Sequence, residues 1–161
     1  MDFILELPLS SGFDNILVIM DKLTKYAIFI PTTISVAKVA TAELLFHHII
    51  SKFSIPWQVI TDRDARWKGE FWKEICKRMG MVRSLTMAYH PKSDGQTEVL
   101  NQSLEISLRA YVSPSRNDWV SYLDTLELSY NMTPLYSHQI CSSVFTKRVY
   151  PDHWVYLSTA P

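Results

Sequence analysis

Apolar and polar residues alternate over Asp2–Leu7, with Phe3, Leu5 and Leu7 on one side and Pro8 closing the run, which predicts a first strand. Ser10-Ser11-Gly12 with Asp14-Asn15 reads as a turn. Ile16–Met20 is then a continuous apolar run suited to a strand buried on both faces. A polar stretch, Asp21–Lys25, separates it from a third strand over Tyr26–Ile30 that Pro31 is expected to stop. Short connections between these three predict an antiparallel meander. The period then changes: Val36, Ala40, Leu44 and His47/His48 recur at three-to-four spacing and predict a helix to Phe53. Ile55-Pro56 breaks it, and Trp57–Thr61 reads as a fourth strand with Asp62 just beyond its C-terminal end. Phe71, Trp72, Ile75, Cys76 and Met79 mark a second amphipathic helix ended at Gly80, and Met81–Thr86 fits a fifth strand. Trp67, Phe71 and Trp72 sit at helical core spacing and are expected in the core rather than as base-stacking platforms.

From Tyr89 to Leu104 a turn-forming loop passes into a helix. Ser93 followed by Gln96 reads as a capping box, so this helix is expected to start near Asp94. Leu100, Leu104, Leu108 and Tyr111 predict its buried stripe, while Glu98, Asn101 and Glu105 share another face. Trp119, Tyr122, Leu123, Leu126 and Tyr130 mark a last helix, and the pattern decays after Pro134. Strands alternating with helices after a hairpin start predict a mixed sheet covered on both faces. With no internal repeat or linker, one domain is expected.

The 161 residues, 47% of them hydrophobic, suffice for one full core. Sixteen basic and sixteen acidic residues cancel, so any nucleic-acid contact must come from local placement of Lys and Arg. Cys76 and Cys141 do not make a disulfide framework. Asp2 and Glu6 argue against a signal peptide, and no apolar run reaches membrane-spanning length, so an intracellular, soluble protein without a membrane partner is expected.

The first and fourth strands of such a sheet are natural central neighbours. That places Asp2, Asp62 and Glu98 near one edge, where ligands of open α/β sheets gather. Three crowded acids repel unless a cation neutralises them, and oxygen-only ligation favours Mg²⁺ or Mn²⁺. Each acid also has an ordinary reading: Asp2 as a loose terminal acid, Asp62 as a turn acid paired with Arg63 or Arg66, Glu98 as a solvated first-turn residue. His47 and His48 are about 100° apart on a helix, which argues against a shared metal.

The joint pattern coincides with a family. Met-Asp2-Phe-Ile, Asp21-Lys-Leu-Thr-Lys25, Ile60-Thr-Asp62-Arg, Phe71-Trp72, Ala88-Tyr-His-Pro-Lys-Ser-Asp-Gly-Gln-Thr-Glu98, Asp118-Trp119 and Tyr130-Asn131 stand in order, with 35 residues between Asp62 and Glu98. The chain from Asp2 to about Tyr136 resembles the catalytic core of retroviral-type integrases, specifically those of gypsy-like long-terminal-repeat retrotransposons and their D,D-35-E signature. The resemblance implies an α/β, RNase H-like fold with a mixed five-stranded sheet: an antiparallel three-strand meander plus parallel strands, with helices on both faces. It also implies a polynucleotidyl transferase that trims the 3′ ends of the element's DNA and joins them to target DNA. Asp2, Asp62 and Glu98 would be the catalytic and metal-binding triad for two Mg²⁺ or Mn²⁺ ions. Lys92, Gln96 and Asn101 would contact DNA, and Gly95 would be the hinge of a flexible loop over Lys92–Gln96. Asp64 and Asp94 would be supporting or structural, as would His90.

The expected partners are therefore element-end and target DNA and a second copy in a homodimer or higher oligomer. The expected location is the nucleus, together with a cytoplasmic retrotransposon particle. Residues 1–136 are expected to be the core, its first strand truncated at the start so that Asp2 sits at a fraying end beside the Met1 amine. Ser137–Phe145 lacks the family's Gly and Pro, so 137–161 is expected to be a divergent or irregular tail. The competing expectations are an inactive remnant that binds DNA or dimerises, and an RNase H-type nuclease.

Overall fold

The computed structural model describes residues 1–61, 67, 69–85 and 91–133, with residues 38, 85 and 91–96 described by their backbone alone. Three strands form one antiparallel sheet: β1 (Asp2–Ile4), β2 (Asn15–Met20) and β3 (Ala27–Thr32), with β2 in the middle. Asp2 pairs with Val18, and Asn15 with Thr32. Every residue of β2 is buried because its alternate side chains enter two different cores. Leu17 and Ile19 join Phe3, Ile28 and Ile30 on one face, and Ile16, Val18 and Met20 join Ile4, Ala27 and Phe29 on the other.

The first face packs against a long helical segment made of α1 (Lys38–Leu45), a π turn (Phe46–Ile50) and α2 (Ser51–Phe53). These bring Leu45, Ile49 and Phe53, and α3 (Glu70–Arg78) adds Trp72 and Cys76. Phe3 stacks on Trp67 at 5.3 Å, and Trp67 lies 5.0 Å from Trp72. Gly80 takes φ +68° after α3, which lets Met81 N–H donate back to the Cys76 carbonyl at 2.8 Å. Two further strands, β4 (Gln58–Thr61) and β5 (Val82–Leu85), pair in parallel. The second face carries α4 (Pro91–Tyr111) and α5 (Val120–Met132), through Leu100, Leu104, Leu108, Leu123 and Leu126. Trp119 anchors the turn between them: its indole N–H donates to the Pro8 carbonyl at 2.6 Å.

Several boundaries differ from the sequence expectation, each for a physical reason. The first strand ends at Ile4, because Glu6 adopts φ +60° and its N–H turns to the Asn15 side chain at 3.2 Å. The third continues through Pro31 to Thr32, which a sheet edge tolerates because proline's missing N–H costs no ladder bond there. The predicted first helix contains a π turn. The fourth helix begins at Pro91 rather than near Asp94, since proline suits the first helical position. The loop expected over Lys92–Gln96 is therefore helical, and Gly95 lies inside α4 instead of hinging a loop. Tyr111 and Phe71, expected in the core, are 63% and 38% exposed, whereas Trp67 and Trp72 are fully buried. Among the described residues the five strands divide into sheets of three and two, and the Met1 nitrogen bridges them by donating to the Ile60 carbonyl at 2.8 Å. Among the described residues no helix is long and apolar enough to cross a membrane. Residues 137–161 lie outside the described residues.

Candidate active site

Asp2 is not a loose terminal acid. It is half-buried on β1, opposite Val18, and both carboxylate oxygens are engaged. Oδ1 accepts from the Phe3 backbone N–H at 2.8 Å, and Oδ2 accepts from Asn101 Nδ2 at 2.7 Å. These two bonds hold the carboxylate through both of its oxygens.

Asn101 reaches Asp2 because Leu100 and Leu104 pull one face of α4 into the second core. That leaves the Glu98–Asn101 face beside the start of β1. The Asn101 Oδ1 atom is buried and has no hydrogen-bond partner among the described residues. Glu98, one helical turn earlier on the same face, is exposed and makes no hydrogen bond or ion pair among the described residues. Glu105, one turn later, instead meets Arg109 at 3.5 Å on the surface.

The bond from Met1 to Ile60 brings the start of β1 to the end of β4, and Thr61, buried, is the last residue of that strand. Asp62 follows it in sequence and lies outside the described residues, as do Asp64 and His90. Lys92, Asp94, Gly95 and Gln96 are placed as α4 backbone only. Of the predicted triad, then, Asp2 and Glu98 can be located, on neighbouring elements linked through Asn101. No three His, Cys, Asp or Glu side chains gather as a metal site among the described residues. Beside this edge is a cavity of about 90 Å³ lined by Met1, Ile60, Thr97, Asp21, Lys22 and Trp57.

Asp21, also conspicuous in the sequence, has a structural task. Its carboxylate accepts from the Thr24 N–H at 3.0 Å and from the Thr24 hydroxyl, closing the turn between β2 and β3. His47 and His48 fall in the π turn, where burial first, then Lys52 and His47, push the His48 imidazole below its ordinary range. Sequence reasoning selected Asn101 for DNA contact and missed its bond to Asp2. The only available signal was its place one turn after Glu98, which says nothing about a residue 99 positions away.

No protein-family model matches the chain. Over 131 residues, 81% of the chain, it is 36% identical to the transposon Tf2-3 polyprotein of Schizosaccharomyces pombe, and it spans 10% of that polyprotein's length. Its fold is that of retroviral integrase catalytic cores. A chain of the simian T-cell lymphotropic virus intasome superposes with a TM-score of 0.74 at 16% identity, covering 92% of this chain and 54% of the other. The HTLV-2 integrase catalytic core domain, in complex with magnesium in a trimeric form, superposes with a TM-score of 0.67 at 12% identity, covering 88% and 91%.

Proposed function

This chain is an integrase core of the retrotransposon lineage, and from that premise we propose that it is the centre of a metal-dependent DNA strand transferase. Asp2, Asp62 and Glu98 would hold two Mg²⁺ or Mn²⁺ ions. The donor set fits such ions: it is made only of carboxylate oxygens, which suit a hard cation. The bonds from Phe3 and Asn101 hold Asp2 in place for that task. When bound, the ions supply Lewis-acid activation of the attacking oxygen and stabilisation of the leaving one.

The chain's own residues prepare that chemistry. Asn101 fixes the Asp2 carboxylate from outside, so the acid need not be ordered when DNA arrives. Glu98 stands on a 21-residue helix, a rigid mount for an acid. Lys92 and Gln96 are proposed as DNA contacts at the start of that helix. Two phosphodiester exchanges follow. Water first attacks the phosphorus that carries the terminal nucleotides and displaces the element's 3′ oxygen, and the freed 3′ hydroxyl then attacks a target phosphorus and displaces a target 3′ oxygen. Each step makes one P–O bond and breaks one. The work would take place in the nucleus, in a homodimer or larger assembly on DNA.

The single observation that carries this reading is the bond between Asp2 and Asn101, which ties the first acid to the helix bearing the third. A branched DNA that mimics the joined product, incubated with the protein and Mn²⁺, tests it. Wild type should resolve the branch and Glu98→Gln should not. Equal, background-level turnover by both would leave the chain a non-catalytic DNA-binding or dimerising module.

A further inference from the structure

Among the described residues the outer edge of β3 has no neighbouring strand, yet its main-chain donors are engaged. The Ala27 N–H donates to Asn131 Oδ1 at 2.9 Å, and Asn131 Nδ2 donates to the Ala27 carbonyl at 2.7 Å. The Phe29 N–H donates to Glu127 Oε2 at 2.8 Å. The next residue of the same parity is Pro31, which has no N–H at all. Every main-chain donor on this edge, from Ala27 to Pro31, is thus either bonded to α5 or missing.

The match is metric as well as chemical. Four residues of helix advance about 6.0 Å and two residues of strand about 6.8 Å, so Glu127 and Asn131 stay in step with Phe29 and Ala27. Carried one more step, the same register would set Leu123, a side chain without an acceptor, against Pro31, a residue without a donor. Asn131 is 3% exposed, an uncommon location for an amide unless both of its ends are bonded.

We infer that Glu127 and Asn131 are edge-blocking residues: α5 acts as a surrogate strand that denies the β3 edge to a second copy of this chain. An unblocked edge with the sequence Ala-Ile-Phe-Ile is the kind of surface that pairs with another strand. A second copy is the favoured occupant because it presents the same edge, which can pair antiparallel with itself about a two-fold axis.

The test uses the full chain carrying Glu127→Ala together with Asn131→Leu, followed by sedimentation velocity over a range of concentrations and by amide hydrogen exchange. At low concentration the Ala27 and Phe29 amides should exchange roughly tenfold faster than in wild type, as loss of a hydrogen bond worth about 1.4 kcal/mol implies. As concentration rises, the variant should associate beyond the wild-type state, and the same amides should regain protection. Glu127→Gln keeps an acceptor oxygen for Phe29 and should behave as wild type. Faster exchange without added association, or association that leaves the β3 amides unprotected, would overturn the inference. If circular dichroism shows the double variant unfolded, Glu127→Ala alone, with Asn131 in place, is put through the same two measurements. Association with renewed amide protection then supports the inference, and either of the two contrary results overturns it.

Discussion

The side-chain amide of Asn101 donates to the carboxylate of Asp2 at 2.7 Å, joining α4 to β1 across 99 positions of sequence. The bond fixes the acid and supplies one donor to its charge. Asn101→Leu is therefore expected to lower branch resolution roughly 10–100-fold, the usual range for a residue that orients a ligand of a metal site. Metal titration followed by single-turnover kinetics is the measurement. Unchanged activity would show that Asp2 needs no support from α4.

Glu98 predicts the opposite separation of effects. It is exposed and makes no hydrogen bond or ion pair among the described residues, so Glu98→Gln should move the urea unfolding midpoint by no more than about 0.5 kcal/mol equivalent. The same variant should lose branch resolution.

Millimolar Mg²⁺ or Mn²⁺ is expected to raise the melting temperature of wild type and to have little effect on Glu98→Gln. A cation that binds only the native state stabilises it by about 1.4 kcal/mol at ten times its dissociation constant. Addition of EDTA should reverse the shift. An identical response in both proteins would place the metal away from Glu98.

On α4, burial separates two neighbouring apolar residues. Leu104, 3% exposed in the second core, should cost about 2–5 kcal/mol when changed to Ala. Ile106, 67% exposed, should cost within about 0.5 kcal/mol. Chemical denaturation of both variants compares them directly.

His48 sets a pH dependence. Its folded pKa lies below the ordinary value of 6.5, chiefly through burial, so the unfolded chain takes up a proton first as pH falls. Stability from this group is complete above the unfolded pKa, declines as pH drops below about 6.5, and levels off beneath the folded value. Melting curves from pH 7.5 to pH 5 should show this decline for wild type and a shallower one for His48→Gln.

The sequence made the sheet legible wherever burial alone decides structure. Ile16–Met20 could be read as a strand covered on both faces because all its side chains are apolar, and each face has its own core. The errors cluster where local geometry or a distant partner decides. Nothing in the alternation of Asp2–Leu7 announces the positive φ of Glu6, and Pro31 stops a strand only if the strand is internal. The capping pattern at Ser93 competed with Pro91 for the start of α4, and the proline won. At the site, Glu98 and Asp2 were chosen as residue types at informative spacings. The clamp between Asp2 and Asn101 depends on tertiary packing, which a single sequence does not encode by spacing.

The joint between the two sheets has a further consequence. A ladder holds adjacent strands about 4.8 Å apart along their whole paired length. Among the described residues β1 and β4 share no ladder, and the Met1 nitrogen donates to the Ile60 carbonyl where the two sheets meet. A cation gripping both Asp2 and Asp62 would add a rung between the two sheets, so loading the site would also tie them together.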